Sequence, residues 1–223
     1  MIHQGAVCAH VVLQQKGTIV SRTFVGVLSA AALTLPLALI ASPAQATEIT
    51  GTNGNDVLYG TEKHDDMHGL RGADLLVGRD AGDWLTGGPG VDDLRGQRGN
   101  DVLVGNTGPD MLSGGTESDQ LYGGYGADVI RGGADDDGLD GRDGDDWLIG
   151  GAGDDDFAPN FDEDVIDAGD GNDDIFIDID GTSTTRSSVD YIDCGDGDDT
   201  VRSPDNEIDP RDEFVNCENF VAL

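Results

Sequence analysis

A period of nine residues dominates the sequence from residue 51 to residue 158. Twelve consecutive blocks of nine fill this range without insertion, and every block begins with glycine. The sixth residue of each block is aspartate and the eighth is apolar, while the fourth is glycine in eight of the twelve blocks. A disordered acidic chain has no reason to keep a carboxylate and an apolar residue in phase over 108 residues. The period therefore predicts a repeat fold.

The residue types within one block predict a turn followed by a short strand. Glycine at the first and fourth places permits positive φ and brings backbone carbonyls close together, and the last three places alternate as a strand does. When such blocks stack in a parallel spiral, the eighth-place side chains point inward and form a thin apolar core. The sixth-place aspartates then gather beside the turn carbonyls. We therefore predict an all-β parallel solenoid over residues 47–158.

The charge of the chain limits what it can bind. Its formal net charge is -33, from 45 acidic and 12 basic residues, which disfavours nucleic acid and anionic membrane surfaces as partners. Stacked aspartates about 4.8 Å apart repel each other by about 1 kcal/mol per pair even in water. Ca²⁺ accepts about six to eight oxygen ligands in a loose geometry, whereas Mg²⁺ requires a tighter octahedron and Zn²⁺ prefers nitrogen or sulfur. The pattern therefore favours multiple calcium ions.

Individual blocks also carry a family resemblance. GGYGADVIR at 123–131 and GGAGDDDFA at 150–158 resemble the nonapeptide of the RTX, or hemolysin-type, calcium-binding repeats. The resemblance covers all twelve blocks. It implies a parallel β-roll in which two nonapeptides form one coil, with calcium held between successive turns by the sixth-place aspartates and neighbouring carbonyls. Lys63, Glu117 and Asp135 replace the fourth-place glycine, and we expect weaker or empty sites beside these turns.

Residues 159–223 keep the phase more loosely. DEDVIDAGDGNDDIF at 162–176 and VDYIDCGDGDDTV at 189–201 each supply two aspartates in repeat-like places, and a strand end and polar loop are predicted between them. We expect degenerate final coils and a cap that protects the last apolar rung and sheet edge. The candidate calcium ligands are Asp56, Asp65, Asp74, Asp83, Asp92, Asp101, Asp110, Asp119, Asp128, Asp137, Asp146, Asp155, Asp164, Asp173, Asp190 and Asp199.

The first 46 residues have a different composition. Residues 25–40 form an uncharged, apolar run that follows Lys16 and Arg22 and precedes the small-residue sequence AQA at 44–46. This order is typical of a secretory signal peptide cleaved after Ala46. A membrane anchor is the alternative, although sixteen residues with a proline are short for spanning a bilayer. We therefore expect an extracellular protein without a membrane span in its mature form.

Two cysteines, Cys194 and Cys217, follow the predicted cleavage point. An exported protein meets an oxidising environment, which favours a disulfide between them, with two free buried thiols as the alternative. Such a bridge would close the C-terminal cap.

Other motifs do not meet the requirements of the sites that they suggest. The two histidines of HDDMH at 64–68 are spaced as in a zinc-binding helix, but they lie in a block predicted to be turn and strand, and the glutamate is absent. The segment that begins at Phe176 has no oxygen ligand at the first place of an EF-hand. Turns such as GGPG lack the lysine and Ser/Thr of a phosphate-binding loop.

Two classes of function remain. The first is a secreted, non-enzymatic calcium-binding protein that folds on meeting calcium, since no site exists in the unfolded chain. The second is a carbohydrate-binding or small hydrolytic module built on the same roll. We expect no enzyme, because the repeats and a short cap leave no room for an attached catalytic domain. Trp84 in block four and Trp147 in block eleven are predicted to lie on opposite sheets, so we expect no aromatic strip for a sugar chain.

Overall fold

The computed structural model describes residues 9–15, 18–24, 47–177, 190–203 and 211–222. The apolar run at 25–40, the predicted cleavage point after Ala46 and most of the polar loop after residue 176 lie outside these ranges. Over the described residues the chain consists of strands and turns in two sheets, with no helix. The predicted all-β parallel solenoid is confirmed.

Strands that follow one another along the repeats belong to alternate sheets. Sheet 1 has twelve strands, which are β1 (Ala9–Gln15), β2 (Thr18–Phe24), β3 (Thr47–Thr50), β5 (Asp65–His68), β7 (Trp84–Pro89), β9 (Val102–Thr107), β11 (Gln120–Tyr125), β13 (Gly138–Asp143), β15 (Asp156–Phe161), β17 (Asp174–Phe176), β19 (Thr200–Ser203) and β21 (Asn219–Ala222). Sheet 2 has nine strands, which are β4 (Val57–Tyr59), β6 (Leu75–Arg79), β8 (Asp93–Arg98), β10 (Met111–Thr116), β12 (Val129–Ala134), β14 (Trp147–Ala152), β16 (Val165–Asp170), β18 (Tyr191–Asp193) and β20 (Glu213–Val215).

Two nine-residue blocks form one coil of the solenoid, as predicted. In sheet 1, Leu103 pairs with Leu121 and Leu121 pairs with Leu139, so each parallel neighbour lies one coil of two blocks away. The nine strands of sheet 2 correspond to about nine turns. Trp84 in β7 and Trp147 in β14 lie on opposite sheets, as predicted. Ahead of the repeats, β1 and β2 pair antiparallel, and β2 pairs parallel with β3.

Most strands of the repeats are longer than the three residues predicted from the end of each block, although β4 has three. β9, for example, has six residues and continues through the first three places of the next block. The chain turns there through a residue with positive φ at the second place, which is Asn106 at 82° in β9 and glycine in several other strands. Gly115 and Gly133 pair in register, and each has φ of 131°, a conformation that side chains with Cβ rarely adopt.

One column of apolar side chains fills the space between the two sheets. Every eighth-place residue is 6% exposed or less, and the column continues through Ile166, Ile175, Ile192 and Val201. Each coil needs only two such side chains, so a chain with few large residues can still build a core. Full burial of one leucine contributes about 1.5–3 kcal/mol. The eighth-place residues are Leu58, Met67, Leu76, Leu85, Leu94, Leu103, Leu112, Leu121, Ile130, Leu139, Leu148 and Phe157.

The C-terminal residues continue both sheets with longer connections. Ile166 in β16 pairs with Ile192 in β18, and Ile175 in β17 pairs with Val201 in β19. The predicted disulfide between Cys194 and Cys217 is present, with the two Cα atoms 5.1 Å apart. Cys194 is fully buried in the apolar column and Cys217 packs against it. The bridge therefore ties the last turns to the core.

Replacing both Cys194 and Cys217 by alanine is expected to lower the free energy of unfolding by about 3 kcal/mol. The bridge links residues 23 positions apart and restricts the unfolded chain. Urea unfolding at saturating calcium, compared with the oxidised wild type, measures the effect. An unchanged urea midpoint would show that the stability of the C-terminal cap does not depend on the disulfide.

Candidate metal centre

The sixteen predicted aspartates form two columns, one at each edge where the chain passes between the sheets. All sixteen side chains are buried, with exposed fractions between 0% and 8%. The columns place like carboxylates one strand spacing apart, about 4.8 Å. The first column contains Asp56, Asp74, Asp92, Asp110, Asp128, Asp146, Asp164 and Asp190, and the second contains Asp65, Asp83, Asp101, Asp119, Asp137, Asp155, Asp173 and Asp199.

One oxygen of each carboxylate after the first coil links consecutive coils. Oδ1 of Asp92 accepts a hydrogen bond from the backbone N–H of Asp74 at 2.8 Å, and Oδ1 of Asp110 accepts one from Asp92 at 2.8 Å. The same bond recurs along both columns at donor–acceptor distances of 2.7–3.0 Å. The sixth place thus has a structural role as well as a negative charge.

The second oxygen of most of these carboxylates has no partner. Oδ2 is buried without a hydrogen bond in thirteen of the aspartates. An ionised carboxylate oxygen that is removed from water and left unpaired is strongly destabilising. These positions therefore require either a cation or a proton. They are Oδ2 of Asp74, Asp83, Asp92, Asp101, Asp110, Asp119, Asp128, Asp137, Asp146, Asp155, Asp164, Asp173 and Asp199.

The first-place glycine of each block leaves a space beside this oxygen. A Cβ built on Gly69 would lie 2.6 Å from Oδ2 of Asp74 and 2.8 Å from the carbonyl oxygen of Gly87 in the next coil. At Gly123 the corresponding distances are 2.5 Å to Asp128 and 2.8 Å to Gly141. A carboxylate oxygen and a carbonyl oxygen thus converge where a side chain is absent. We call this space the glycine cradle.

The donor set of the glycine cradle fits calcium. Carboxylate and carbonyl oxygens are the hard ligands that Ca²⁺ takes in a flexible geometry. The part of the chain that the structure describes contains no group of three or more His, Cys, Asp or Glu side chains able to hold a metal ion. Metal sites at the columns would therefore depend on backbone carbonyls, as the sequence pattern predicts.

A family comparison agrees with this geometry. The family model for the RTX calcium-binding nonapeptide repeat (4 copies) matches residues 50–85, 68–103, 77–112, 104–139, 139–162 and 160–178. These matches together span residues 50–178, more than half of the chain. The chain belongs to the RTX calcium-binding repeat family. Among curated proteins, none matches the sequence.

Burial changes the protonation of the RTX aspartates. Burial is the largest cause, the accepted backbone N–H opposes it, and repulsion from neighbouring carboxylates adds to it, so that the pKa of Asp110 is raised to about 7 and that of Asp119 to about 8. Burial also raises the pKa of Asp164 to about 9. In the absence of a cation, these three carboxyl groups of the folded RTX columns thus retain protons near neutral pH.

The RTX blocks that depart from glycine at the fourth place differ among themselves. Ala81, Glu117 and Asp135 adopt positive φ, 73°, 68° and 70°, as glycine would, whereas Lys63 does not. The carboxylate of Glu117 also accepts the backbone N–H of Gly99 at 2.9 Å. Weaker calcium sites beside the turns of Lys63, Glu117 and Asp135 remain a prediction.

Two acidic residues that the repeat count misses continue the RTX columns. Oδ1 of Asp212 accepts the N–H of Asp190 at 3.2 Å, and Oε2 of Glu218 accepts the N–H of Asp199 at 3.3 Å. Their distances along the chain from the preceding column member do not equal one coil, so the nine-residue period cannot find them. A sequence signal does exist, because each directly precedes a short apolar strand, β20 or β21.

The zinc-binding helix considered for the histidines of residues 64–68 does not form. Asp65–His68 is strand β5, so the two histidines of that block do not share a helical face. Nε2 of His68 lies 3.0 Å from Oδ1 of Asp66, and the ring of His64 contacts the carbonyl of Gly82.

Over the described ranges, no helix is both long and apolar enough to cross a membrane.

Proposed function

We propose that this protein is a secreted, non-enzymatic calcium-binding protein whose β-roll folds when calcium occupies the two aspartate columns. The observation that carries the proposal is the set of thirteen buried Oδ2 atoms without partners. At Gly69 and Gly123, where the spacing is clearest, the same oxygen and a carbonyl of the next coil border the glycine cradle.

Different atoms of each turn would have different roles. Oδ2 of the sixth-place aspartate and the first-place carbonyl of the next coil would hold the ion, and Oδ1 would keep the two coils in register. A bound calcium ion supplies the positive charge that relieves repulsion between stacked carboxylates. Without it, a chain of net charge -33 with few aromatic residues has the composition of a disordered protein. When the column carboxylates are ionised, folding of the calcium-binding coils is therefore coupled to calcium binding.

Secretion fits this coupling. The predicted signal peptide and the Cys194–Cys217 disulfide both favour an oxidising compartment outside the cytoplasm. Cleavage after Ala46 would remove β1 and β2 and leave β3 as the first strand of sheet 1. The chain would cross the membrane unfolded and fold where calcium is abundant.

A calcium titration followed by circular dichroism tests the proposal. At about pH 8, where the column carboxylates have lost most of their protons, the purified, chelated chain is expected to lack strand signal and to gain it with a midpoint of about 0.1–1 mM calcium, as in extracellular calcium modules. Magnesium at the same concentration and ionic strength is the control and should give little signal, because it requires a tighter octahedron. Equal strand signal before and after calcium would refute the coupling of binding to folding.

A further inference from the structure

The first coil of the roll differs from later coils in the partners of its aspartates. Oδ2 of Asp56 accepts the backbone N–H of Thr52 at 2.6 Å and the hydroxyl of the same threonine at 2.8 Å. Oδ2 of Asp65 accepts the backbone N–H of Thr61 at 2.6 Å and its hydroxyl at 3.0 Å. This is the oxygen that has no partner in thirteen later aspartates. In the first coil, donors from the chain itself satisfy it.

The turns that carry these threonines have their own backbone conformation. Thr52 and Thr61 occupy the second place of the first two blocks, and neither has positive φ. The second-place residue has positive φ in each of the next twelve turns. The first of these residues along the chain is Leu70, with φ of 79°, and the last is Gly169, with φ of 113°. A β-branched residue strongly disfavours positive φ. Threonine thus selects the other conformation and turns its N–H and hydroxyl toward the carboxylate, as hydroxyl side chains do in local turns.

We propose that Thr52 and Thr61 replace calcium at the N-terminal end of the roll, so that Asp56 and Asp65 belong to a metal-independent cap. The inference rests on the proposed function, because it takes the later aspartates to hold calcium. Two hydrogen bonds from the same turn provide a partner for Oδ2 of each of these aspartates, whereas in later coils an ion held between two coils would be that partner. Asp56 and Asp65 are therefore excluded from the calcium ligands that the sequence predicts.

The other carboxylate oxygen is consistent with an end position. In later coils Oδ1 accepts the amide of the aspartate one coil earlier, and no repeat block precedes the first coil. Oδ1 of Asp65 is accordingly buried without a partner. The partners of Oδ2, the oxygen that borders the glycine cradle, thus distinguish the N-terminal cap from the later coils. A cap that is ordered before calcium arrives would give the first calcium-binding coil a formed edge on which to stack.

The test counts bound calcium in the full chain by isothermal titration calorimetry. One variant combines Asp56→Asn and Asp65→Asn, and the matched control combines Asp74→Asn and Asp83→Asn one coil later. We expect the cap variant to bind as many ions as the wild type and the control to bind two fewer. Loss of calcium from the cap variant overturns the inference. If the control also keeps the full count, the proposed function fails, which is a distinguishable result.

Amide hydrogen exchange of the calcium-free wild type supplies a second readout that needs no variant. The amides of Thr52 and Thr61 donate to the cap carboxylates, so we expect them to exchange at least tenfold more slowly than those of Leu70 and Arg79 at the second place of the next turns. Equal exchange rates at the four positions would overturn the cap. The comparison stays decisive even if the asparagine variants do not fold.

Discussion

Alanine in place of Gly105 is expected to remove one calcium site and to lower the unfolding midpoint sharply at calcium concentrations that saturate the wild type. A Cβ at this position would lie 2.5 Å from Oδ2 of Asp110 and 2.6 Å from the carbonyl oxygen of Gly123. Both atoms border the glycine cradle. Overpacking costs about 1–3 kcal/mol, and an ion present at about a hundred times its dissociation constant contributes about 2.7 kcal/mol. The expected loss is therefore about 4–6 kcal/mol.

Gly54→Ala is the matched control. The nearest atom to a Cβ at Gly54 is Oγ1 of Thr52 at 3.8 Å, so the added methyl group meets only ordinary contact. Neither Gly54 nor Gly105 has positive φ, so backbone strain does not distinguish the two variants. We expect the control to keep the wild-type urea midpoint and calcium count. Equal behaviour of the two variants would show that calcium does not occupy the glycine cradle.

The repeat period is sufficient to predict the main features of the fold. A block of nine contains one turn and one core position, so stacking two blocks per coil places Leu103 and Leu121 in register in one sheet. The same phase predicts that the sixth-place carboxylates align. Periodic patterns define such features because every coil meets the same neighbours. Residue type alone was enough to propose oxygen ligands and calcium.

Features that depend on the distance between coils could not be predicted from the period. The two oxygens of one carboxylate have different environments. Oδ1 of Asp110 accepts a hydrogen bond from a backbone amide, whereas Oδ2 has no partner, and this difference follows from the three-dimensional spacing of the turns. The C-terminal Asp212 and Glu218 continue the columns only because loops of unequal length return the chain to the same edge. Thr52 is a β-branched residue at a place where later turns have positive φ, and this difference is visible in the sequence. Its consequence, two hydrogen bonds to Oδ2 of Asp56, is visible only in the structure.

The raised pKa values of the columns predict an inverted pH dependence for the calcium-free chain. Burial raises the pKa of Asp83 and Asp146 to about 7 and that of Asp119 to about 8, from an ordinary value of 3.8. Between the ordinary and the raised value, the folded state binds more protons than the unfolded state. The free energy of unfolding therefore falls as the pH rises through this interval. Most paired carboxylates in proteins have lowered pKa values and give the opposite slope.

The calcium-free chain is accordingly expected to show strand signal at about pH 5 and to lose it by about pH 8, because protons then leave carboxylates that no cation replaces. Calcium added at about pH 8 should restore the signal and release protons into a weakly buffered solution, since the ion takes the place of the protons. Sodium chloride at matched ionic strength is the control, because salt screens exposed charges far better than buried ones. Strand signal that grows with pH in the absence of calcium would contradict the assignment, since it would mean that the buried carboxylates are stabilised in their charged form by groups of the protein itself.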